Sequence, residues 1–258
     1  MQPTNANAFA LAWNFFKGNY ALNFAALAIL IVMNILGMIP ILGVLFIFAY
    51  SVLSFAIQIY FGKKMEGVHA PEDMANVAAQ TKIRDLFMEY VDVAAGAFLA
   101  FLMLGIVFGL LFAIVAGVGT GVMQESVQMQ SMGMQSDEQM AIMVASGMGI
   151  GGFLLLLVML FLAYFFPAVM GRVILSDDFV SGFKNAFLIF SPSLWKSCFN
   201  KDYFLLILLW SIIIFVALLV IFALSATLIL LPLGVVIAYI LALYNAAIYV
   251  FAAKLAQE

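Results

Sequence analysis

The chain has 258 residues, 67% of them hydrophobic and 9% charged, with a formal net charge of −3 and a mean hydropathy of +1.20. Soluble domains run near half apolar and a quarter charged, so composition excludes a water-soluble fold. The single cysteine, Cys198, excludes an internal disulfide, and the single histidine, His69, falls in a polar interval away from any partner for metal or Ser-His-Asp chemistry.

A helix crosses a bilayer with roughly 20 apolar residues, because about 1.5 Å of rise per residue covers about 30 Å of hydrocarbon. Six stretches meet that length: Leu22–Ile39, Ile41–Phe61, Val93–Val118, Ala141–Phe166, Tyr203–Leu228 and Leu233–Ala253. They are continuously apolar, whereas barrel strands alternate over about 10 residues, so helices are expected. No positive n-region precedes a short apolar core at the start, and no cleaved leader is expected.

Ahead of the first stretch, Phe9, Trp13 and Phe16 fall at spacings of four and three, with Lys17 following. This predicts an interfacial helix over residues 1–20, anchored at the headgroups by Trp13, in preference to a surface for recognising a partner. Hairpin 1, residues 22–61, turns at Pro40-Ile41-Leu42-Gly43. Pro40 lacks an amide hydrogen and disfavours helix at Ile39, and Gly43 tolerates unusual backbone angles, so the turn needs almost no polar loop.

The interval 62–92 interleaves Lys63, Lys64, Lys82 and Arg84 with Glu66, Glu72, Asp73, Asp85, Glu89 and Asp92. Pro71 before Glu72 and Asp73 predicts a helix start, and Val77, Ile83, Leu86, Phe87 and Tyr90 give the interval an apolar face that docks. Hairpin 2, residues 93–166, carries Gly105 and Gly109, a small-residue pair that predicts close helix packing. Its outer loop, 119–142, is methionine-rich and holds acids but no cation.

Residues 167–202 predict surface helices, one capped by Ser176 or Asp177 with Phe179, Phe183, Phe187 and Phe190 on one face, broken by Ser191-Pro192-Ser193. Hairpin 3, residues 203–253, turns at Leu231-Pro232-Leu233-Gly234. Setting Gly43 on Gly234 brings Ala56 onto Ala247, Ile57 onto Ile248 and Lys63 onto Lys254, so hairpins 1 and 3 read as parallel repeats.

All ten cations lie at one set of span ends, and the Pro-Gly turns and the outer loop hold none. The positive-inside rule then places both termini and both long intervals in the cytoplasm.

No Asp, Glu, Lys, Arg or His falls within the six stretches, which argues against proton coupling, pumping or intramembrane hydrolysis. Ser51, Ser54 and Gln58 form a polar stripe on the second stretch, and Asn245 and Tyr249 form another on the sixth. The first expectation for them is interhelical hydrogen bonding, worth about 0.6 to 2 kcal/mol per bond; the second is a path for an uncharged amphiphile. Met129, Met132 and Met134 resemble the methionine motifs of copper transporters, whose thioethers suit Cu(I), although methionine also fills irregular apolar contacts. The basic intervals are too mixed with acid for nucleic-acid binding and favour anionic lipid or a protein partner.

Ala12-Trp13 with Phe16-Lys17, Ile39-Pro40-Ile41-Leu42-Gly43, Gly67 with Pro71, and Leu86-Phe87 carry a resemblance over roughly the first hundred residues. In these the chain is similar to a loose group of bacterial polytopic inner-membrane proteins of the domain-of-unknown-function type, and more distantly to the membrane domain of some glycerophosphodiester phosphodiesterases. The resemblance implies architecture and a bacterial inner membrane, with no catalytic residue to carry over.

The expectation is thus a single all-α polytopic membrane domain of six transmembrane helices in three hairpins, plus amphipathic surface helices. It is expected to be non-enzymatic and cofactor-free, with membrane lipid and a protein partner or second copy as its contacts, in an assembly or envelope-maintenance role. The alternatives are transport of an uncharged, amphipathic or lipid-like substrate, and then copper(I) handling.

Overall fold

In a computed structural model of the chain, the backbone is described for residues 1–131, 137–227 and 229–257, and the side chains for those residues other than 115–151. Every described element is helical: α1 (Asn5–Gly18), α2 (Tyr20–Leu36), α3 (Gly43–Met65), α4 (Asp73–Gln80), α5 (Ile83–Met88), α6 (Val91–Ser131), α7 (Asp137–Ile174), α8 (Phe179–Ala186), α9 (Pro192–Cys198), α10 (Lys201–Ser225) and α11 (Leu231–Leu255). Among the described residues, five segments are long and apolar enough to cross a membrane: Gly43–Met65, Ile83–Ile114, Gly152–Ile174, Lys201–Ser225 and Leu231–Leu255. A sixth is reached if α1 and α2, bent by 96°, count as one span. The protein is therefore an all-helical, multi-pass membrane protein.

The chain forms two compact units, Met1–Ala100 with Phe165–Glu258, and Phe101–Tyr164. In the first, α1 begins at Thr4, whose hydroxyl accepts the Asn7 amide at 3.2 Å. Ala8, Leu11, Ala12 and Phe15 recur at helical spacing and are fully buried, packing α1 on α4 and α11. The sequence stripe divides here: Phe9 and Trp13 face outward while Phe16 turns into the core, its ring 6.1 Å from that of Trp13. Asn19 ends α1 and caps α2, accepting the Leu22 amide at 3.0 Å. Asn23 Nδ2 then donates to the carbonyls of Phe15 and Phe16, which α1 itself leaves unpaired at its C-terminus.

The first hairpin turn works differently from expectation. The left-handed residue is Ile41, at φ 69°, and Gly43 is needed instead because a Cβ there would strike the Gly37 backbone. Its requirement is closeness rather than torsional freedom. In the other hairpin, Pro232 sits in the first turn of α11, where its missing amide hydrogen costs nothing.

Two short helices follow the expected docking. Asp73 opens α4 by accepting the Ala70 amide at 3.0 Å, and Leu86 and Phe87 bury α5 against α3. The cap of α8 is Asp178, one residue beyond the expected pair, because Ser181 completes a reciprocal capping box with it. Ser176 is occupied elsewhere, donating to the Arg172 carbonyl and accepting from Asn185 Nδ2. The expected phenylalanine helix closes at Ala186 and continues as a 3-10 turn over Phe187–Phe190, and Pro192 starts α9.

The buried side chains gather at one end of the bundle. They occupy the first half of α2, the last half of α3, the start of α10 and most of α11. Toward the two hairpin turns, Ile35, Leu45, Ile213 and Phe222 are exposed, as lipid-facing residues are. At the 191-residue offset between Gly43 and Gly234, each buried residue of α3 falls on a buried residue of the last helix or of Ala256 just after it.

In the unit Phe101–Tyr164, Leu102, Ile106, Leu110 and Ile114 are exposed along α6. The close approach expected at Gly105 and Gly109 is absent among the described residues, since a Cβ at either would meet nothing within 4 Å. Tight glycine contacts occur instead at Gly18 against Ala75, Gly62 against Ile174, and Gly171 against Tyr249. Met132 and Met134 lie outside the described residues, as does the side chain of Met129.

A cavity between the first hairpin and the last helix

Residues of α2, α3 and α11 line a cavity of about 790 Å³, within the size range of small-molecule sites. Its walls are Phe24, Leu27, Leu30, Ile31 and Ile35 from α2, Ile57 from α3, and Leu231, Pro232, Val235, Val236, Ala238 and Ala242 from α11. The polar groups among them are Asn34, Tyr50, Ser54, Gln58 and Tyr239, and no wall residue is ionisable at neutral pH. Tyr50, Ser54 and Gln58 recur every four residues, one per turn of α3.

Tyr239 is fixed at the cavity wall by the asparagine that holds the α1–α2 corner. Its hydroxyl donates to Asn23 Oδ1 at 2.9 Å, and Asn23 is fully buried. The wall therefore connects directly to the core. Gln58 Nε2 makes one long bond of 3.3 Å to the Ser54 carbonyl, which leaves its other amide hydrogen and its carbonyl oxygen for another partner. Among the described residues, the Asn34 amide and the Tyr50 hydroxyl have no hydrogen-bond partner.

The expected polar stripes thus separate. Ser54 and Gln58 line the cavity, and Ser51 turns its hydroxyl to the Ile47 carbonyl of its own helix at 2.9 Å. Asn245 accepts the Trp210 indole at 2.9 Å, and Tyr249 meets the rings of Trp210 and Phe166 edge-on at 6.1 Å. At the 191-residue offset Asn245 corresponds to Ser54 and Tyr249 to Gln58. One position of the pair is filled by aromatic rings and the other is open. Asn34 and Tyr50 escaped the sequence reading. Their signals were a lone amide deep in an apolar run and a phenol one turn before Ser54.

The cation-bearing end of the bundle is separately organised. Lys63 pairs with Asp177 at 2.8 Å and also donates to the Leu175 carbonyl, while Lys64 pairs with Glu89 at 2.8 Å. His69 is exposed, and burial pushes the Cys198 thiol up to about 11, away from nucleophilic use. No cluster of His, Cys, Asp or Glu suited to a metal occurs among the described residues. The cavity offers neutral hydrogen bonding along an apolar, partly open wall and holds no nucleophile paired with a base. No protein-family model, curated protein or solved structure matches this chain.

Proposed function

We propose that the chain is a non-enzymatic protein of the bacterial inner membrane, with both termini cytoplasmic, that acts through lipid by holding a neutral amphiphile between hairpin 1 and α11. The observation that carries this reading is the pairing of an apolar cavity with an amide and a phenol that lack protein partners. In hydrocarbon no water supplies the missing hydrogen bonds, so such groups favour a ligand that brings its own donors or acceptors. The uncharged wall disfavours an ionised phosphate or ammonium, which would lose its hydration without compensation. The substrate class is a long-chain molecule with hydroxyl, carbonyl or amide groups along its polar part.

The register between hairpins 1 and 3 supports this reading: at the 191-residue offset the buried positions of α3 fall on buried positions of α11 and Ala256, and each hairpin presents a polar pair, Ser54 with Gln58 and Asn245 with Tyr249. Aromatic packing around Trp210 closes one, and the other remains for a ligand. The sidedness rests on the clustering of cations at the densely packed end of the bundle.

Purification in mild detergent followed by native mass spectrometry tests the proposal. The wild type is expected to retain a defined neutral species. Asn34→Leu with Gln58→Leu should reduce its retention about tenfold, since two membrane hydrogen bonds at about 0.6 to 2 kcal/mol each exceed the 1.4 kcal/mol of a tenfold change in most of that range. Equal retention by the double variant would reject the cavity as the binding site.

A further inference from the structure

We propose that the pocket where α9, α10 and the end of α11 meet binds the phosphate of an anionic lipid headgroup. This site is separate from the neutral cavity and does not depend on it. The pocket encloses about 580 Å³, and its wall includes Ser193, Lys196, Lys201, Gln257 and the ring of Phe199. Asn200 makes its floor rigid: Nδ2 donates to the carbonyls of Ser197 at 2.9 Å and Leu255 at 3.1 Å, and Oδ1 accepts the Tyr203 amide at 2.8 Å. One side chain thereby ties α9, α10 and α11 together around the opening.

Charge decides the class of ligand. Lys63, Lys64 and Lys254 each face a carboxylate, within 2.8 Å for the first two and 3.9 Å for the third. Lys196 and Lys201 make no ion pair among the described residues, although both border the same cavity. Asp202 is the one acid on that wall, so the described lining keeps a net positive charge. Two lysines lining one opening suit the phosphate oxygens of a headgroup.

The neighbouring apolar surface decides between a lipid and a free anion. Phe199 is 74% exposed, and Phe190 is also exposed. A large ring held outward beside two lysines matches the interface, where the ring enters the acyl layer and the ammonium groups stay among headgroups. A soluble phosphate would gain nothing from the ring. Trp195 holds α9 in register by donating its indole to the Ile189 carbonyl at 2.7 Å.

The test uses the full chain in mild detergent, with phosphatidylglycerol or phosphatidylcholine added at equal concentration and adducts counted by native mass spectrometry. The wild type is expected to prefer phosphatidylglycerol about tenfold. Lys196→Gln with Lys201→Gln should abolish the preference while leaving the melting curve unchanged, and each single variant should lose part of it. Lys184→Gln, at an exposed lysine outside the pocket, should behave as wild type. Absence of the preference in the wild type, or its survival in the double variant, would overturn the proposal. Displacement of phosphatidylglycerol by inorganic phosphate would overturn the lipid assignment in favour of a soluble anion.

Discussion

Asn23 shows what a single polar side chain does in this protein. Fully buried, it donates to Phe15, Phe16 and Asn19 carbonyls and accepts from Tyr239, so it closes α1, ties α2 to that end and positions a cavity residue. Replacing it with Leu would leave several buried groups unpaired, at about 1 to 3 kcal/mol each. Asn23→Leu is therefore expected to lower the thermal midpoint well below that of Tyr239→Phe, measured by circular dichroism in detergent. Ile41 presents the opposite case. A β-branched residue at positive φ is strained, and Ile41, 91% exposed, has few contacts to lose. Ile41→Gly should stabilise the fold by about 1 kcal/mol in a denaturant titration, because the left-handed penalty disappears.

Two groups outside the spans set a pH dependence at residue scale. The Ser181 amide, 2.7 Å from Asp178 Oδ1, holds the Asp178 carboxyl below its ordinary value. Its stabilisation is present above the unfolded pKa and is lost as pH falls through the lower folded pKa. For Cys198 the folded thiol ionises near 11 instead of 9.0, so stability declines as pH rises from about 9 to about 11. Asp178→Asn should flatten the acid limb, and Cys198→Ala the alkaline limb, of midpoint against pH.

At the scale of elements, five of the apolar spans and both Pro-Gly hairpins were legible because hydrocarbon length and helix-breaking residues are local properties; α2 reaches span length only together with α1, and the expected outer loop 119–142 is helical up to Ser131 and again from Asp137. The docking of α1 was not. Its Phe9-Trp13 edge and its Ala8-Leu11-Ala12-Phe15 face lie side by side on one helix, and hydropathy alone does not tell lipid from α4 and α11. The cavity was legible in half: Ser54 and Gln58 were visible as a stripe, but Asn34 joins them only through the hairpin fold. At Asn245 the first expectation, a hydrogen bond between helices, is what the fold makes: it accepts the Trp210 indole of α10. Glycines divide along the same line. Gly105 and Gly109 have a packing spacing and no described neighbour, whereas Gly171 lies so close to the Tyr249 carbonyl and Ala253 that a Cβ cannot fit. Gly171→Ala should thus separate α7 from α11 and reduce the yield of folded protein, assayed by size-exclusion chromatography, while Gly105→Ala should not.

At the scale of the molecule, packing and charge point the same way. The dense core and the paired lysines occupy one end of the first unit, and the far halves of its hairpins present apolar side chains outward. The cavity lies between α2, α3 and α11. Of α11's most apolar stretch 56% is buried, against 11% for α10, so α11 is the helix the rest of the first unit packs on. On the proposed readings, the neutral wall and the lysine-lined pocket would address different parts of the same membrane, its apolar interior and its headgroup layer.

The most direct measurement places a photoreactive amino acid at Leu30 in the cavity wall and, separately, at Leu219 on the exposed face of α10, followed by mass spectrometry of the lipid adducts formed in intact membranes. Enrichment of one neutral, hydroxyl- or carbonyl-bearing species at Leu30, against bulk phospholipid at Leu219, is the expected result. Identical bulk-lipid adducts at both positions would contradict a selective intramembrane site.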